Sequence, residues 1–236
     1  MEKVAVAKSF SDGVRASIPT ALGYVSIGIA CGVVGASSGL SPLEMGLMSA
    51  IVYGGSAQFA MCALLLVHAP VVSVVITVFL VNLRNFLMSL HATTIFKDNA
   101  LGDNILIGTL ITDESYGVLL GEVAHNETIT SRWMHGNNVM GYISWVLAVT
   151  ISTYLGQYIP NPEQFGLDFA LVGMFIAIFA AQLDSMRLQV PMRKIALILL
   201  VVAISYVLSS VVLSESMSVL VATLIGCGVG VMLDEA

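Results

Sequence analysis

"ALILLVVAISYVLSSVVL", residues 196–213, runs for eighteen residues without a charge, and stretches of this kind recur from residue 16 to the C-terminal end. About 20 such residues let a helix cross a bilayer. A soluble domain commits about a quarter of its residues to charge. This chain commits 10%, with 57% apolar residues and a mean hydropathy of +0.93. Lipid offers no partner to an exposed backbone, so spanning segments must be helices or a closed barrel. Barrel strands alternate apolar and polar positions over about 10 residues, whereas these runs are unbroken. The chain therefore reads as an all-α polytopic membrane protein.

Charge and proline divide it into eight hydrophobic segments, roughly 16–38, 44–67, 70–93, 104–121, 134–158, 166–185, 194–213 and 216–233. Connections such as "HAP" (68–70) and "SES" (214–216) leave no room for an extramembrane domain, so residues 1–236 read as one transmembrane transporter domain. The basic start, "MEKVAVAKSFSDGVRASIP", precedes an apolar run too long for a signal peptide and lacking an A-x-A site, so the first helix is expected to be retained. If all eight segments cross from a cytoplasmic N-terminus, Lys3, Lys8, Arg15, Arg132, Arg187, Arg193 and Lys194 lie inside, Lys97 lies outside and Arg84 lies within a segment. That bias follows the positive-inside rule and predicts eight crossings with both termini cytoplasmic. The net charge of −6 is scattered over short loops and says little about partners. A shift of 124 residues lays Glu44 on Asp168, Leu47 on Leu171 and Ala57–Gln58 on Ala181–Gln182. It predicts a repeat of two four-helix halves, 13–121 and 134–233.

Several chemistries find no support. Cys31, Cys62 and Cys227 stand alone in three apolar segments and read as packing residues. His68, His91, His125 and His135 are dispersed, so no metal site is expected. No nucleophile–base, nucleotide-binding or dinucleotide pattern is present, which argues against an enzyme, a cofactor or a nucleic-acid partner. Glycine pairs at small-x-x-x-small spacing predict close helix packing. They are Gly28/Gly32, Gly35/Gly39 and Gly117/Gly121, with "GCGVG" at 226–230. At least one of the glycine-rich first and last helices, around Gly32 and Gly226, is expected to pack on another subunit or a second copy.

The polar residues inside the segments carry the functional reading. In "FLVNLRNFLM" (79–88) an arginine sits mid-segment, where an ionisable group costs from about 2.5 to more than 10 kcal/mol. Asn82, Asn85 and Ser89 share one helical face, and Arg84 and His91 a neighbouring one. In "GTLITDESYG" (108–117), Thr109, Thr112, Asp113 and Tyr116 fall at i, i+3, i+4 and i+7 and predict a polar face, with Glu114 pointing elsewhere. Arg84 is expected to pair with Asp113 or Glu114. The bland reading is an ion pair that locks two helices; the favoured one is a midplane site that also handles substrate or protons. In "YGGSAQF" (53–59), Gly54 and Gly55 interrupt the second helix beside Ser56 and Gln58. Broken helices expose half-helix ends that hold ligand charge; a tight helix-packing patch is the other reading.

"GLSPLEMGLMSAIVYGGSAQFA" (39–60), "VNLRN" (81–85), "TDESYG" (112–117) and "LDFALVGMFIAIFAAQL" (167–183) together resemble the AzlC family. This is the large subunit of bacterial branched-chain amino acid exporters, and the motifs keep its order over nearly the whole chain. The family's "NLRH"-like motif ends here in Asn85. The resemblance implies a multi-pass protein of the bacterial cytoplasmic (inner) membrane. It would export valine, leucine, isoleucine and sometimes methionine, beside a small hydrophobic AzlD-type subunit. An amino acid zwitterion needs a cation for its carboxylate, an acceptor for its ammonium and an apolar pocket for its side chain. The candidate substrate residues are Ser56, Gln58, Asn82, Arg84, Asn85, Thr112, Asp113, Tyr116 and Gln182. Glu114 and Asp113 are the candidate proton carriers, since no nucleotide motif supplies energy. The alternative is a channel-like or accessory subunit whose buried polar groups are structural.

Overall fold

The computed structural model describes residues 8–124, 129–158, 176, 179, 180, 183, 186, 187, 190–213 and 215–234. Among these are ten helices and no strand, in two compact units, Met1–Val172 and Gly173–Ala236. The first unit holds α1 (Phe10–Ala16), α2 (Ile18–Ser37), α3 (Pro42–Val52), α4 (Gly55–Leu66), α5 (Val71–Ile95), α6 (Leu101–Thr109), α7 (Asp113–Ala124) and α8 (Ser131–Gly156). The second holds α9 (Met192–Ser210) and α10 (Glu215–Asp234). Four helices are long and apolar enough to cross a membrane uninterrupted: α2, α5, α8 and α9.

α2 and α8 form the frame of the first unit. They run parallel, because contacts advance together along both. Gly28 meets Ala148, Gly32 meets Val149 and Ser152, and Gly156 meets Val33 and Ala36. The Ser152 hydroxyl also donates to the Gly28 carbonyl at 2.9 Å. Gly28 and Gly32 thus form a close-packed stripe inside the chain, which corrects the expectation that Gly32 faces another subunit. Gly39 is the left-handed residue that ends α2 (φ 83°). A Cβ on Gly39, Gly117 or Gly121 would touch no described residue within 4 Å, so neither spacing containing them forms a packing seam among the described residues. Gly35 does pack, against Met45.

The second and fourth hydrophobic segments do not cross. Each is a pair of short helices that enters from one side, breaks in mid-protein and returns to the same side. Ser41 starts α3 as a capping box with Glu44, its N–H reaching the carboxylate at 2.8 Å, with Pro42 at the first helical position. α3 runs antiparallel to α8: Gly46 lies against Thr150, and Ala50 accepts from the Tyr142 hydroxyl at 3.0 Å. It stops at Tyr53, which is left-handed (φ 40°, ψ 60°), followed by extended Gly54. α4 then doubles back along α3. Gln58 donates to Ser49 at 2.7 Å, and Cys62 lies 3.8 Å from Met45 sulfur to sulfur. Residues 45 and 62 of one straight helix would be about 25 Å apart at 1.5 Å per residue.

The α6–α7 pair enters from the other side. Climbing α6, Asp103 meets His135 at 3.3 Å and Ile107 accepts from Asn138 at 3.0 Å. After the break at Leu110–Thr112, α7 descends the same part of α8. The Ser115 carbonyl accepts from Asn137 at 3.0 Å, and Glu122 pairs with Lys8, whose own carbonyl accepts from Thr130. Leu119 of α7 and Ile107 of α6 share one buried cluster with Trp133, Phe96 and Ala92. The periodic face read through Thr109, Thr112, Asp113 and Tyr116 is therefore not formed: Thr109 is exposed and bonded to the Leu106 carbonyl.

Two hairpins in place of two crossings leave α2 and α8 parallel and move Lys97 to the α1 side. The described cations of this unit other than Arg84 (Lys8, Arg15, Lys97 and Arg132) then share that side, and the connections 38–41 and 67–70 on the other carry none. The topology has a direct test. With the exposed Cys227 replaced by Ser, Ser37→Cys and His68→Cys are expected to react with an impermeant thiol reagent from one side of the membrane, and Lys97→Cys from the other. Eight crossings would instead put positions 37 and 97 together and 68 opposite.

In the second unit α9 and α10 are antiparallel, with Gly226 against Val202, Gly230 against Ile198 and Lys194 donating to the Leu233 carbonyl. Gly226 is thus spent on its own chain as well. The residues that the 124-residue shift would equate with Glu44, Leu47 and Ala57–Gln58 lie outside the described residues.

Candidate functional site

The two breaks meet, and Arg84 joins them. From the middle of α5, its Nη2 donates to the Ser56 hydroxyl in the first turn of α4 at 3.0 Å. The same atom lies 2.9 Å from Oδ2 of Asp113, the first residue of α7. Its other nitrogens bond no described residue. Each of α4 and α7 carries partial positive charge at its N-terminal end, and these ends point at the middle from opposite sides.

The ends differ in how they are finished. α7 is capped by its own sequence, "TDES": the Thr112 side chain accepts from the Ser115 N–H at 3.2 Å, and the Ser115 hydroxyl accepts from the Thr112 N–H at 2.9 Å. α4 begins at Gly54 with no side-chain cap. Space there is tight: a Cβ on Gly54 would lie 2.8 Å from Asn82 Oδ1, and one on Gly55 would lie 3.0 Å from the Trp145 ring. The first-turn N–H groups of α4 and the open edge of Arg84 together favour an anion of carboxylate geometry.

The two carboxylates part company. Asp113 takes the guanidinium. Glu114, expected to point elsewhere, accepts from the Tyr24 hydroxyl of α2 at 2.8 Å, and that hydroxyl also lies 2.5 Å from Thr112 Oγ1. Tyr24 is buried and packs edge-to-face on Trp145, with ring centroids 5.5 Å apart. The Trp145 N–H donates to Gln58 Oε1 at 2.6 Å, and Gln58 donates to Ser49. The hairpins are therefore linked twice, by Arg84 directly and by the buried path from Ser49 and Gln58 through Trp145 and Tyr24 to Glu114.

Of the residues expected at the site, Ser56, Arg84 and Asp113 are brought together, with Asn82 against Gly54 beside them. Thr112 is a cap, Gln58 is spent on Trp145 and Ser49, and Tyr116 bonds His91 at 2.7 Å on the flank between α5 and α7. Gln182 lies outside the described residues. Tyr24, Trp145 and the asparagine pair Asn137–Asn138 were missed. That pair grips the second hairpin on both sides of its break, at Ser115 and at Ile107. Its signal was available, since two adjacent amides inside an apolar segment must be satisfied by something.

Helix order and direction in this unit suggest an inverted pairing of its two parts. α2 followed by the first hairpin and α5 followed by the second have the same element order and run in opposite directions. A shift of 58 carries Gly54 to Thr112 (54 + 58) and Tyr24 to Asn82 (24 + 58), and the contacts follow: Tyr24 touches Thr112, and Asn82 touches Gly54. Inverted repeats with a site at their interface are a transporter architecture.

Comparison with known proteins covers this region. The profile of the family described as AzlC protein matches residues 19–159, from α2 through α8. The inner membrane protein YgaZ of Escherichia coli strain K12 is 27% identical over 180 residues, 73% of this chain and 73% of that one. An uncharacterized membrane protein of Helicobacter pylori strain J99 is 26% identical over 175 residues, 74% of this chain and 76% of its own. The branched-chain amino acid transport protein AzlC of Bacillus subtilis strain 168 is 25% identical over 167 residues, 70% of this chain and 65% of its own. No solved structure matches.

Proposed function

The chain belongs to the AzlC family, and we propose that it is a secondary-active exporter of branched-chain amino acids, coupled to protons, in the cytoplasmic membrane. The observation that carries this reading is Arg84, held between the first turns of two half-helices and paired with Asp113, while the adjacent carboxylate, Glu114, bonds the Tyr24 hydroxyl. The substrate carboxylate is taken by the open edge of Arg84 and the uncapped start of α4. The ammonium lies toward Asp113 and Glu114, and the side chain among the apolar residues that flank the breaks. The name of the Bacillus subtilis relative specifies branched-chain amino acid transport, which supports the choice of valine, leucine and isoleucine, with methionine close in size. The α1 side, where Lys8, Arg15, Lys97 and Arg132 gather, is taken as cytoplasmic.

Proton coupling follows from the unequal carboxylates. Asp113 has a cation; among the described residues Glu114 has the Tyr24 hydroxyl as its donor, and the Tyr24–Thr112 pair can reverse its direction to serve either form of Glu114. Protonation therefore costs that carboxylate no hydrogen bond. Glu114→Gln is expected to abolish leucine efflux driven by a pH gradient while sparing exchange at equal concentrations. Asp113→Asn is expected to damage both, because it strips Arg84 of its partner. Counterflow and gradient-driven efflux in the same vesicles separate the two. Full pH-driven efflux in Glu114→Gln would reduce this carboxylate to helix glue. A small AzlD-type subunit belongs to the proposal: α5, with Phe79, Leu83, Phe86, Leu87 and Leu90 exposed, offers it a long apolar face.

A further inference from the structure

The transport reading leaves open which uncharged group recognises the ammonium, and the acceptors around the two breaks narrow the choice. Half-helix C-terminal ends commonly offer backbone carbonyls to cations, and three of those near the breaks are engaged. Ala50, near the end of α3, accepts from Tyr142; at the end of α6, Ile107 accepts from Asn138 and Gly108 from Ser89. Asn85 is different. It lies on the inward face of α5, between Asn82, which touches the break at Gly54, and Ser89, which touches Gly108 beside the other break. Its Oδ1 is buried and accepts no hydrogen bond. A buried carbonyl left without a donor costs about 1–3 kcal/mol, and Arg84, the residue beside it in the chain, presents the group suited to a carboxylate.

We propose that the Asn85 side-chain carbonyl receives the ammonium of the transported amino acid and so makes the site specific for α-amino acids over their 2-oxo analogues. This rests on the transport reading. The two neighbours on α5 then address the two charged ends of one zwitterion, Arg84 the carboxylate and Asn85 the ammonium. The 2-oxo acid retains the carboxylate and side chain but presents an oxygen where Asn85 needs a donor.

The test compares leucine with 4-methyl-2-oxopentanoate as competitors of radiolabelled leucine in vesicles holding the full chain. Asn85→Leu is expected to weaken leucine at least tenfold, leave the oxo acid unchanged and leave the melting temperature level or raised, because it removes an unsatisfied buried oxygen. Asn85→Asp, which keeps the acceptor, is expected to retain leucine. Unchanged leucine affinity in Asn85→Leu, or equal losses for both compounds, would overturn the assignment. A wild-type chain that takes up valine and leucine but shows neither effect at Asn85 defeats only this inference; one that binds no amino acid defeats the transport reading beneath it.

Discussion

Arg84→Lys is expected to lower leucine transport by between tenfold and a hundredfold while leaving the protein folded. The guanidinium serves Ser56 and Asp113 from one nitrogen and keeps the remainder of its fork open. An ammonium on a flexible stem keeps the charge but not that geometry. A hydrogen bond to a charged group contributes about 1.5–3 kcal/mol, and each 1.4 kcal/mol is tenfold, which sets the range. The Arg84 side chain is 35% exposed and that of Asp113 20%, so solvent screening favours its lower half. Arg84→Ala is expected to do more, lowering the melting temperature as well, because Asp113 is left without its cation between two helix ends. Transport of Arg84→Lys at the wild-type rate would show that the charge alone matters and that no carboxylate sits in the fork.

A large loss of stability is expected at Gly32. A Cβ there would lie 2.0 Å from Ser152 Oγ, 2.5 Å from the Val149 carbonyl oxygen and 2.7 Å from the Thr153 nitrogen. Two of those atoms are backbone, so α2 and α8 must part to admit it. Overpacking of this kind costs about 1–3 kcal/mol and more where nothing can shift. Gly32→Ala should therefore broaden or abolish the monodisperse peak in detergent. Gly23→Ala, on the same helix with nothing within 4 Å, is the control; it should be neutral or gain the roughly 1 kcal/mol by which alanine exceeds glycine in a helix. Equal behaviour of the two variants would mean that the α2–α8 seam is loose enough to admit a methyl group.

Composition and run length were enough to read an all-α membrane chain, because lipid leaves so few backbone solutions. The pairing of Arg84 with one of two carboxylates was legible for the same reason: a mid-segment cation requires a partner. The hairpins were not legible, since a run of about 24 apolar residues is as long as two half-length helices folded back on each other. Gly54 and Gly55 flagged the first break. The second has no glycine at its turn, only "LIT" before "DES", and its periodicity imitated a continuous face. The basic residues misled in an instructive way. One re-entrant segment spoils the charge bias, but two restore it and carry Lys97 across as well. Tyr24 and Trp145 passed as ordinary aromatics because only the fold shows that one hydroxyl and one indole N–H close the path between the hairpins.

The central claim is that the meeting point of the two breaks is where the amino acid sits. Ser56→Cys, in a chain with Cys227 replaced by Ser, puts a thiol in the first turn of α4 beside Arg84. Its rate of modification by a small thiol reagent should fall severalfold in saturating leucine or valine and stay unchanged in glutamate or lysine. Modification at one rate in all four amino acids would contradict the site.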